Sequence, residues 1–398
     1  MLEIIYSNFG FWINLLIPIT VAVYLTITNK EYIYKELIIQ IIATFTYLSL
    51  IFLLLFSTTT NLIDTQYFNG KAKKIEFYEE WTELRVHTES YECGSSDNPK
   101  TCTRTVTEHI HHPKKWNILT TNDEKIKITK DEYKKAKLDF GVKKEYIPRI
   151  NKISTGDGNK YVATPNIIIP TSVAHTYINY VTAAKDNVIH TKISKDDMKL
   201  FISENKLHKY PPLSKDKYGA KKLLRIIDDS NRSDAQSMQD KLDLFCAKYS
   251  KTKQVNPLIY ITKQDRSFKT YLETYWNKGK KNDATLILGV DANGKVLYSD
   301  VIAWTNNTDF IVDCQNSFKG LNVKNDAIKL VDIFQNLILS EYERKPMEEF
   351  SYLKENITLQ WYWQLLIILG NLVISYAITR YFLTNKTLKK DKSKSTEL

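Results

Sequence analysis

The stretch LIIQIIATFTYLSLIFLLLFSTTTNLI, from Leu37 to Ile63, contains no Lys, Arg, Asp or Glu. A helix needs about 20 apolar residues to cross the roughly 30 Å of hydrocarbon in a bilayer, and this stretch is long enough. The stretches GFWINLLIPITVAVYLTIT (Gly10 to Thr28) and WYWQLLIILGNLVISYAITRYFL (Trp361 to Leu383) have the same character, with Arg380 as their one charged residue. The sequence therefore predicts three transmembrane helices.

Basic residues beside these stretches predict how the chain is oriented in the membrane. Lysines that flank a span resist translocation, so the basic tail after the third span, residues 384–398, is expected in the cytoplasm. Three spans then place residues 64–360 outside the cytoplasm, as a large domain anchored in the plasma (inner) membrane. A cleaved signal peptide is the alternative for the first stretch, which lacks the preceding basic region and the small-residue cleavage site of such peptides.

All four cysteines lie in the segment assigned to the outside, where disulfides persist. Cys93 and Cys102 lie within YECGSSDNPKTC (Tyr91 to Cys102), and the strand-like sequence on either side predicts an antiparallel hairpin. A disulfide between them is the favoured interpretation, with metal ligation and free thiols as alternatives. A second disulfide, between Cys246 and Cys314, is an open alternative because sequence does not place their Cβ atoms.

Histidines cluster around the predicted hairpin. If the two cysteines are directly opposite each other, alternation along the strands puts His87 on the cysteine face, opposite Glu108, and His109 with His111 on the other face. His109 and His111 offer two nitrogens for Zn or Cu, and His87 completes the set only if the strand bends. The competing interpretation is a solvated strand end.

The outer segment changes character near HKYPPLSKDKYG (His208 to Gly219), where prolines and polar residues interrupt the periodicity. After it, the apolar strands VNPLIYIT and ATLILGVD alternate with amphipathic helices, which predicts an α/β sandwich with a mixed sheet. The predicted class is α+β. The predicted divisions are a two-helix anchor (1–63), a β-rich part (64–210), the sandwich (211–350), the third span (361–383) and the tail (384–398).

Four features of the outer segment carry a resemblance to known proteins: the block YEEW (Tyr78 to Trp81), the Cys/His-bearing hairpin, the segment HTYINY (His175 to Tyr180) and the joint KKND (Lys280 to Asp283). In these features the chain resembles a family of uncharacterised membrane-associated proteins of large tailed phages and some bacteria. The resemblance covers most of the outer segment and implies membrane association, but that family has no established function.

From Ser233 to about Glu343, the order of predicted elements is similar to that of TPM domains, which are often anchored in membranes outside the cytoplasm. That resemblance implies an α/β sandwich and, as an alternative function, a metal-assisted phosphatase. Its candidate catalytic residues are Asp265, Asp291 and Asp300, near the ends of the apolar strands. The chain departs from the TPM pattern because no Gly-rich segment follows VLYSDVIAW (Val296 to Trp304).

Composition and motifs narrow the expected function. The outer segment carries 48 of the 56 Lys and Arg against 40 of the 45 acidic residues, a mild excess that is spread out without a basic stripe, so nucleic acid is not an expected partner. No G-x-S-x-G, P-loop, G-x-G-x-x-G or H-E-x-x-H motif is present. We therefore expect a binding or accessory module of the cell envelope, in the phage case acting on the host envelope. Its expected partners are the lipid bilayer and an envelope protein or anionic envelope polymer. No cofactor is expected; the alternative is a divalent metal, held by the hairpin or by the phosphatase site.

Overall fold

A computed structural model describes residues 2–29, 34–93, 100–139, 143–149, 157–184, 193–205 and 207–385. The chain forms two compact units. The helical unit comprises Met1–Thr65, Thr176–Ser194 and Lys345–Leu398, and the mixed unit comprises Gln66–His175 and Lys195–Arg344. Helices and sheets together confirm the predicted α+β class. The tip of the predicted hairpin (94–99) and most of the predicted tail (386–398) lie outside the described residues.

The elements are numbered here in chain order. The helices are α1 (Leu2–Ser7), α2 (Phe9–Asn29), α3 (Tyr34–Thr59), α4 (Lys130–Asp139), α5 (Tyr180–Ala183), α6 (Lys195–Asn205), α7 (Ala235–Lys253), α8 (Phe268–Tyr275), α9 (Thr308–Asn316), α10 (Ala327–Ser340) and α11 (Trp361–Asn385), with a 3-10 helix at Met347–Asn356. The strands are β1 (Ile63–Tyr78), β2 (Trp81–Glu92), β3 (Thr101–His112), β4 (Lys115–Thr120), β5 (Lys125–Lys127), β6 (Lys143–Ile147), β7 (Lys160–Thr164), β8 (Pro170–Ile178), β9 (Leu213–Lys215), β10 (Lys221–Leu223), β11 (Ile226–Asp228), β12 (Asn256–Thr262), β13 (Asp283–Val290) and β14 (Val296–Ala303).

Two helices of the helical unit are long and apolar enough to cross a membrane. Their apolar windows are Ile38–Thr59 in α3 and Trp361–Phe382 in α11, with mean hydropathies of 2.3 and 1.6. Only 28% and 22% of these windows are buried within the protein. In α2, where the sequence predicts the first span, the qualifying apolar segment Phe9–Val21 is shorter.

Uncharged polar side chains line the contacts among α2, α3 and α11. Asn371 donates its amide N–H to the carbonyl oxygen of Asn14, and Gln40 donates to the carbonyl oxygen of Ser375 at 3.2 Å. The hydroxyl of Thr379 donates to Gln40 Oε1 at 3.3 Å. All five side chains are at most 1% exposed. We call these five residues the polar stripe. They connect the three helices, whose outward surfaces carry many exposed apolar side chains.

The first sheet of the mixed unit has strand order β5-β4-β1-β7-β6, with β8 also paired to β1. Alternation along β1 points Ile75 towards Ile118 of β4 and Ala163 of β7, which lie directly opposite it. These side chains are nearly fully buried, and they form one apolar cluster with Ala136 of α4. Helix α4 therefore covers this face of the sheet.

Strands β2 and β3 form a separate two-stranded ribbon whose side chains are mostly exposed. Its register pairs Tyr91 with Cys102, and the Cys93 N–H donates to the Lys100 carbonyl oxygen at 2.9 Å. The prediction that the two cysteines are directly opposite each other is therefore wrong by two residues. Cys93 and Cys102 are joined diagonally by a disulfide, with Cα atoms 5.7 Å apart, which is within the usual range.

The second large sheet has strand order β11-β12-β13-β14, with the first three strands parallel and β14 antiparallel. Every residue of β12 and β13 is buried, because helices cover both faces. Helix α7, between β11 and β12, packs into one apolar cluster with Ile259 and Ile261, whereas α8, between β12 and β13, packs into another with Leu258 and Tyr260. Both connections join neighbouring parallel strands and step in the same direction across the sheet, but they lie on opposite faces. They therefore have opposite handedness, so one of them is left-handed, which is rare for such crossovers.

Candidate ligand-binding site

Four aromatic side chains form a row across neighbouring strands of the first sheet. Trp116 of β4 lies directly opposite Phe77 of β1, Phe77 opposite Tyr161 of β7, and Tyr161 opposite Tyr146 of β6. Successive ring centroids are 5.7, 5.7 and 5.2 Å apart. We call these four residues the aromatic row. Because Phe77 is two residues beyond Ile75, the row is on the face that α4 covers.

Helix α4 presents lysines to the aromatic row. It begins with a capping box in which the Glu132 carboxylate accepts the Thr129 N–H at 2.6 Å and the Thr129 hydroxyl accepts the Glu132 N–H at 3.2 Å. Thr129 is therefore the N-cap of α4, which ends at Asp139. Lys130, Lys134 and Lys137 follow at spacings of four and three, which place them on one side of the helix.

A cavity of about 500 Å³ lies between the aromatic row and α4. Phe77, Trp116 and Tyr161 of the row line it, and Tyr133 of α4 adds a fourth ring 6.0 Å from Phe77. Its charged lining residues are Glu79, Lys114, Lys130, Lys134 and Lys137. Lys114 pairs with Glu80 at 3.0 Å, and the other three lysines against Glu79 still leave the lining positively charged over an aromatic floor.

The single carboxylate in the cavity is already hydrogen-bonded. Glu79 accepts the Tyr161 hydroxyl at 3.0 Å and the Asn159 amide at 2.8 Å. The hydrogen bond to Glu79 raises the pKa of Tyr161, and burial raises the pKa of Tyr133. Both phenols therefore remain protonated at neutral pH. A ligand meets apolar ring surface, two phenol groups and several ammonium groups, which suits an anion with an apolar or sugar-like body.

The predicted metal ligands on the ribbon are not brought together. His87 contacts Glu89 at 3.2 Å, and Glu89 in turn accepts Arg104 at 2.9 Å. His109 and His111 are exposed on the opposite face, as the alternation predicts, but His87 is paired with Val106 rather than with Glu108. Within the described ranges no group of three or more His, Cys, Asp or Glu is placed to hold a metal ion.

The aspartates proposed for a phosphatase each have a local partner. Asp265 accepts the Ser267 N–H at 2.8 Å, and Asp291 accepts the N–H groups of Asn293 and Lys295 at 2.8 and 2.9 Å, as turn residues do. Asp300 pairs with Lys269 at 2.8 Å and accepts the Gln315 amide at 3.0 Å; these hydrogen bonds offset its burial, and the net result is a lowered pKa.

The second disulfide considered from sequence does not form. Cys246 of α7 and Cys314 of α9 are both buried thiols within the apolar cluster around β12 and β13. A buried thiol behaves there as a small apolar side chain. Burial also raises the pKa of Cys314, which keeps it protonated and unreactive.

Sequence reasoning missed the aromatic row because its members come from four separate strands, and only the register brings them together. The lysine spacing in KDEYKKAK (Lys130 to Lys137) was the one local signal of the site. Comparison of the chain with protein-family models, with curated proteins and with solved structures gives no match.

Proposed function

We propose that this chain is a membrane-anchored envelope protein whose mixed unit, outside the cytoplasm, binds an anionic envelope polymer in the cavity between the aromatic row and α4. The observation that carries the proposal is the combination of four lysines with an aromatic floor in one cavity of about 500 Å³. Cavities of this size are typical of ligand sites. In the phage-encoded case, the polymer belongs to the host envelope.

Membrane anchoring is supported by the exposed surfaces of α3 and α11, and the proposal takes α2 as the third span. The core helix of a soluble protein is mostly buried, whereas the apolar windows of α3 and α11 are 28% and 22% buried. Val373, in the middle of α11, is 69% exposed. In hydrocarbon such outward side chains are favourable, and inward polar side chains hold helices together. The basic tail (384–398) supports a cytoplasmic C-terminus.

A linear polymer fits the site better than a compact ligand does. The aromatic row continues past the cavity to Tyr146, whose side chain is 53% exposed on β6. Neighbouring ring planes in Trp116, Phe77 and Tyr161 are within 19° of parallel at 5.7 Å between centroids. A nucleobase inserted between two rings needs about 7 Å, twice the van der Waals contact distance. A chain of sugar or polyol phosphate laid along the row needs no such gap.

Titration of the full-length chain in nanodiscs with poly(glycerol phosphate), followed by Trp fluorescence, tests this proposal. The double charge reversal Lys134→Glu with Lys137→Glu should weaken binding by roughly tenfold or more. Lys127→Glu on β5 makes the same kind of charge reversal at one site outside the cavity. It is the control and is expected to bind like the parent.

Chain length and polymer type sharpen the test. Tyr146→Ala should weaken binding of long polymers by roughly fivefold, the effect of losing one aromatic contact of about 1 kcal/mol, and leave short fragments unaffected. An uncharged polysaccharide of equal length should not bind. Tighter binding of single-stranded DNA than of poly(glycerol phosphate), or equal binding by the lysine double variant and the parent, would overturn the proposal.

A further inference from the structure

The carboxyl ends of β11 and β12 border a crevice. Its residues are distant in sequence from those of the aromatic row. The chain leaves β11 for α7 on one face of the sheet and leaves β12 for α8 on the other face. When the segments that follow two adjacent parallel strands go to opposite faces, a gap is left between them. Ligands of open α/β sheets bind in such gaps at the carboxyl ends of the strands.

A cavity of about 400 Å³ is found at this gap. The segment after β11 and the end of β12 supply most of its lining, and α6 with the loop that follows supplies the rest. The lining residues are Glu204, His208, Asp228, Asp229, Asn231, Thr262, Lys263 and Gln264. The cavity is therefore polar, and its residues come from three separate segments of the chain.

One histidine in this cavity is held by a partly buried carboxylate. His208 Nε2 lies 2.7 Å from Asp229 Oδ1, and the Tyr260 hydroxyl donates to Asp229 Oδ2 at 2.6 Å. The Trp276 indole N–H donates to the His208 carbonyl oxygen at 2.9 Å, which fixes the backbone. Burial raises the pKa of Asp229, and its hydrogen bonds with Tyr260 and His208 oppose that rise. Burial also raises the pKa of Tyr260, which stays a donor.

This arrangement fixes which ring nitrogen meets a ligand. With Nε2–H donating to Asp229, a neutral His208 presents Nδ1 as a proton acceptor. No described residue hydrogen-bonds to that nitrogen, and the His208 side chain is 57% exposed. A positioned imidazole with a carboxylate behind it is the arrangement of a general base. Lys263 and Gln264 line the same cavity and carry N–H donors for a developing oxyanion.

We propose that His208 is a general base in this crevice, positioned by Asp229 and Tyr260, and that the site hydrolyses an ester. Nδ1 takes a proton from water while the water oxygen bonds to the ester carbonyl carbon. The bond from that carbon to the leaving oxygen then breaks, and the leaving oxygen takes the proton from Nδ1. Ester and water become acid and alcohol, and the imidazole returns to its neutral form. This inference is independent of polymer binding by the aromatic row.

The release of p-nitrophenolate from p-nitrophenyl acetate by the full-length chain in nanodiscs tests the proposal. His208→Gln should lower the rate by roughly a hundredfold, the contribution of a positioned general base. His109→Gln is the matched control, because His109 is exposed on the ribbon and has no role in the crevice; its rate should equal that of the parent. Equal rates for His208→Gln and the parent would overturn the proposal.

The positioning role of Asp229 has its own readout. The ionisable groups around His208 are Glu204, Asp228, Asp229, Tyr260 and Lys263. Asp229→Asn should lower kcat with little change in KM, because the imidazole loses the carboxylate that orients it, and Asp229→Glu, which keeps an acceptor, should recover part of the rate. A loss in Asp229→Asn that appears in KM rather than in kcat, or no recovery of rate in Asp229→Glu, would assign Asp229 a structural role only and would contradict this part of the proposal.

Discussion

The helical unit and the mixed unit differ most in the side chains that they expose. In the helical unit Asn14, Gln40 and Asn371 are at most 1% exposed, while many apolar side chains of α2, α3 and α11 face outwards. In the mixed unit every residue of β12 and β13 is buried, and most exposed positions of the sheets and helices are polar. The first arrangement is favourable in hydrocarbon and the second in water. The comparison shows that the exposed side chains are largely apolar on the long helices of the helical unit and largely polar in the mixed unit.

Each unit also has a buried polar network, and these networks differ in how completely their groups are satisfied. Arg225, 1% exposed in the mixed unit, donates to Asp243 at 2.9 Å, to Asn256 at 2.8 Å and to Asn69 at 2.7 Å. The network thus joins α7, β12 and β1 around a charge. The polar side chains that are buried in the described part of the helical unit are neutral amides and hydroxyls, and Asn14 Oδ1 has no hydrogen-bond partner among the described residues. A buried charge requires complete pairing, whereas a neutral polar stripe tolerates a missing partner.

The largest effect is expected where a buried charge loses its partner. Arg225→Met should lower the free energy of unfolding of the mixed unit by about 3–5 kcal/mol, because the Asp243 carboxylate stays buried without a cation. Urea titration followed by Trp fluorescence measures the change. Arg232→Met, at an exposed site, is the control and should change stability by less than about 0.5 kcal/mol. A loss below about 1 kcal/mol for Arg225→Met would mean that the Arg225 network contributes little to the stability of this unit.

The next largest effect tests the surroundings of the helical unit. Val373→Lys places a charge on an outward position of α11 and should cost about 2.5–3.5 kcal/mol of membrane insertion. The measurement is the fraction of chains that remain in membranes after an alkaline wash, which should fall. Gln360→Lys, just before α11, leaves the charge at the membrane interface and should have no effect. Equal retention of both variants would contradict the contrast between the two units.

A third prediction concerns pH and the buried Asp283, which accepts the Asn256 amide at 2.8 Å and the Tyr210 hydroxyl at 3.0 Å. Burial raises the pKa of Asp283 to about 7. The unfolded chain releases this proton near pH 4. Between about pH 4 and 7 the folded state therefore holds a proton that the unfolded state lacks, and stability should decrease as pH rises, by at most about 1.4 kcal/mol per pH unit.

The pH prediction is checked by urea titrations of the parent and of Asp283→Asn between pH 5 and 8. The Asn side chain does not titrate, so the variant should lose this downward slope. The exposed substitution Asp240→Asn should keep the slope of the parent. A parent protein with constant stability over this range would show that Asp283 does not carry the proton.

The smallest effect is expected in the polar stripe of the helical unit. Asn371→Leu removes the amide that donates to the Asn14 carbonyl oxygen. Hydrogen bonds between helices in membranes contribute about 0.6 kcal/mol on average and at most about 1.7 kcal/mol. Thermal unfolding in nanodiscs should therefore change little. A loss as large as that of Arg225→Met would show that the stripe is as demanding as the charged network of the mixed unit.

Local patterns in the sequence predicted the elements that depend on one segment. The apolar windows of α3 and α11 and the ribbon around Cys93 were predicted, because apolar runs, strand alternation and turn residues act over a few positions. The faces of the ribbon were also predicted correctly. Its register was not, because a disulfide joins diagonal as well as directly opposite positions and does not fix the pairing alone.

Both candidate sites escaped prediction because they are assembled from distant segments. Phe77 and Tyr161 meet only through the register of β1 with β7, and His208 meets Asp229 only because the loop after α6 reaches the end of β11. The phosphatase hypothesis placed its site near the ends of the apolar strands, but the oxygens of the aspartates that it named accept hydrogen bonds in turns and form an ion pair. Single residues carry no signal of such nonlocal contacts.

The diagonal disulfide of the ribbon has a consequence for proteolysis. Cys93 and Cys102 close a loop at the end of two strands of 12 residues each. A protease that cuts between residues 94 and 101 leaves both strands covalently joined and their ladder of hydrogen bonds intact. Under oxidising conditions the nicked chain remains one molecule, and the cut becomes visible as two fragments only after reduction. The ribbon can thus lose the continuity of its loop without losing its fold.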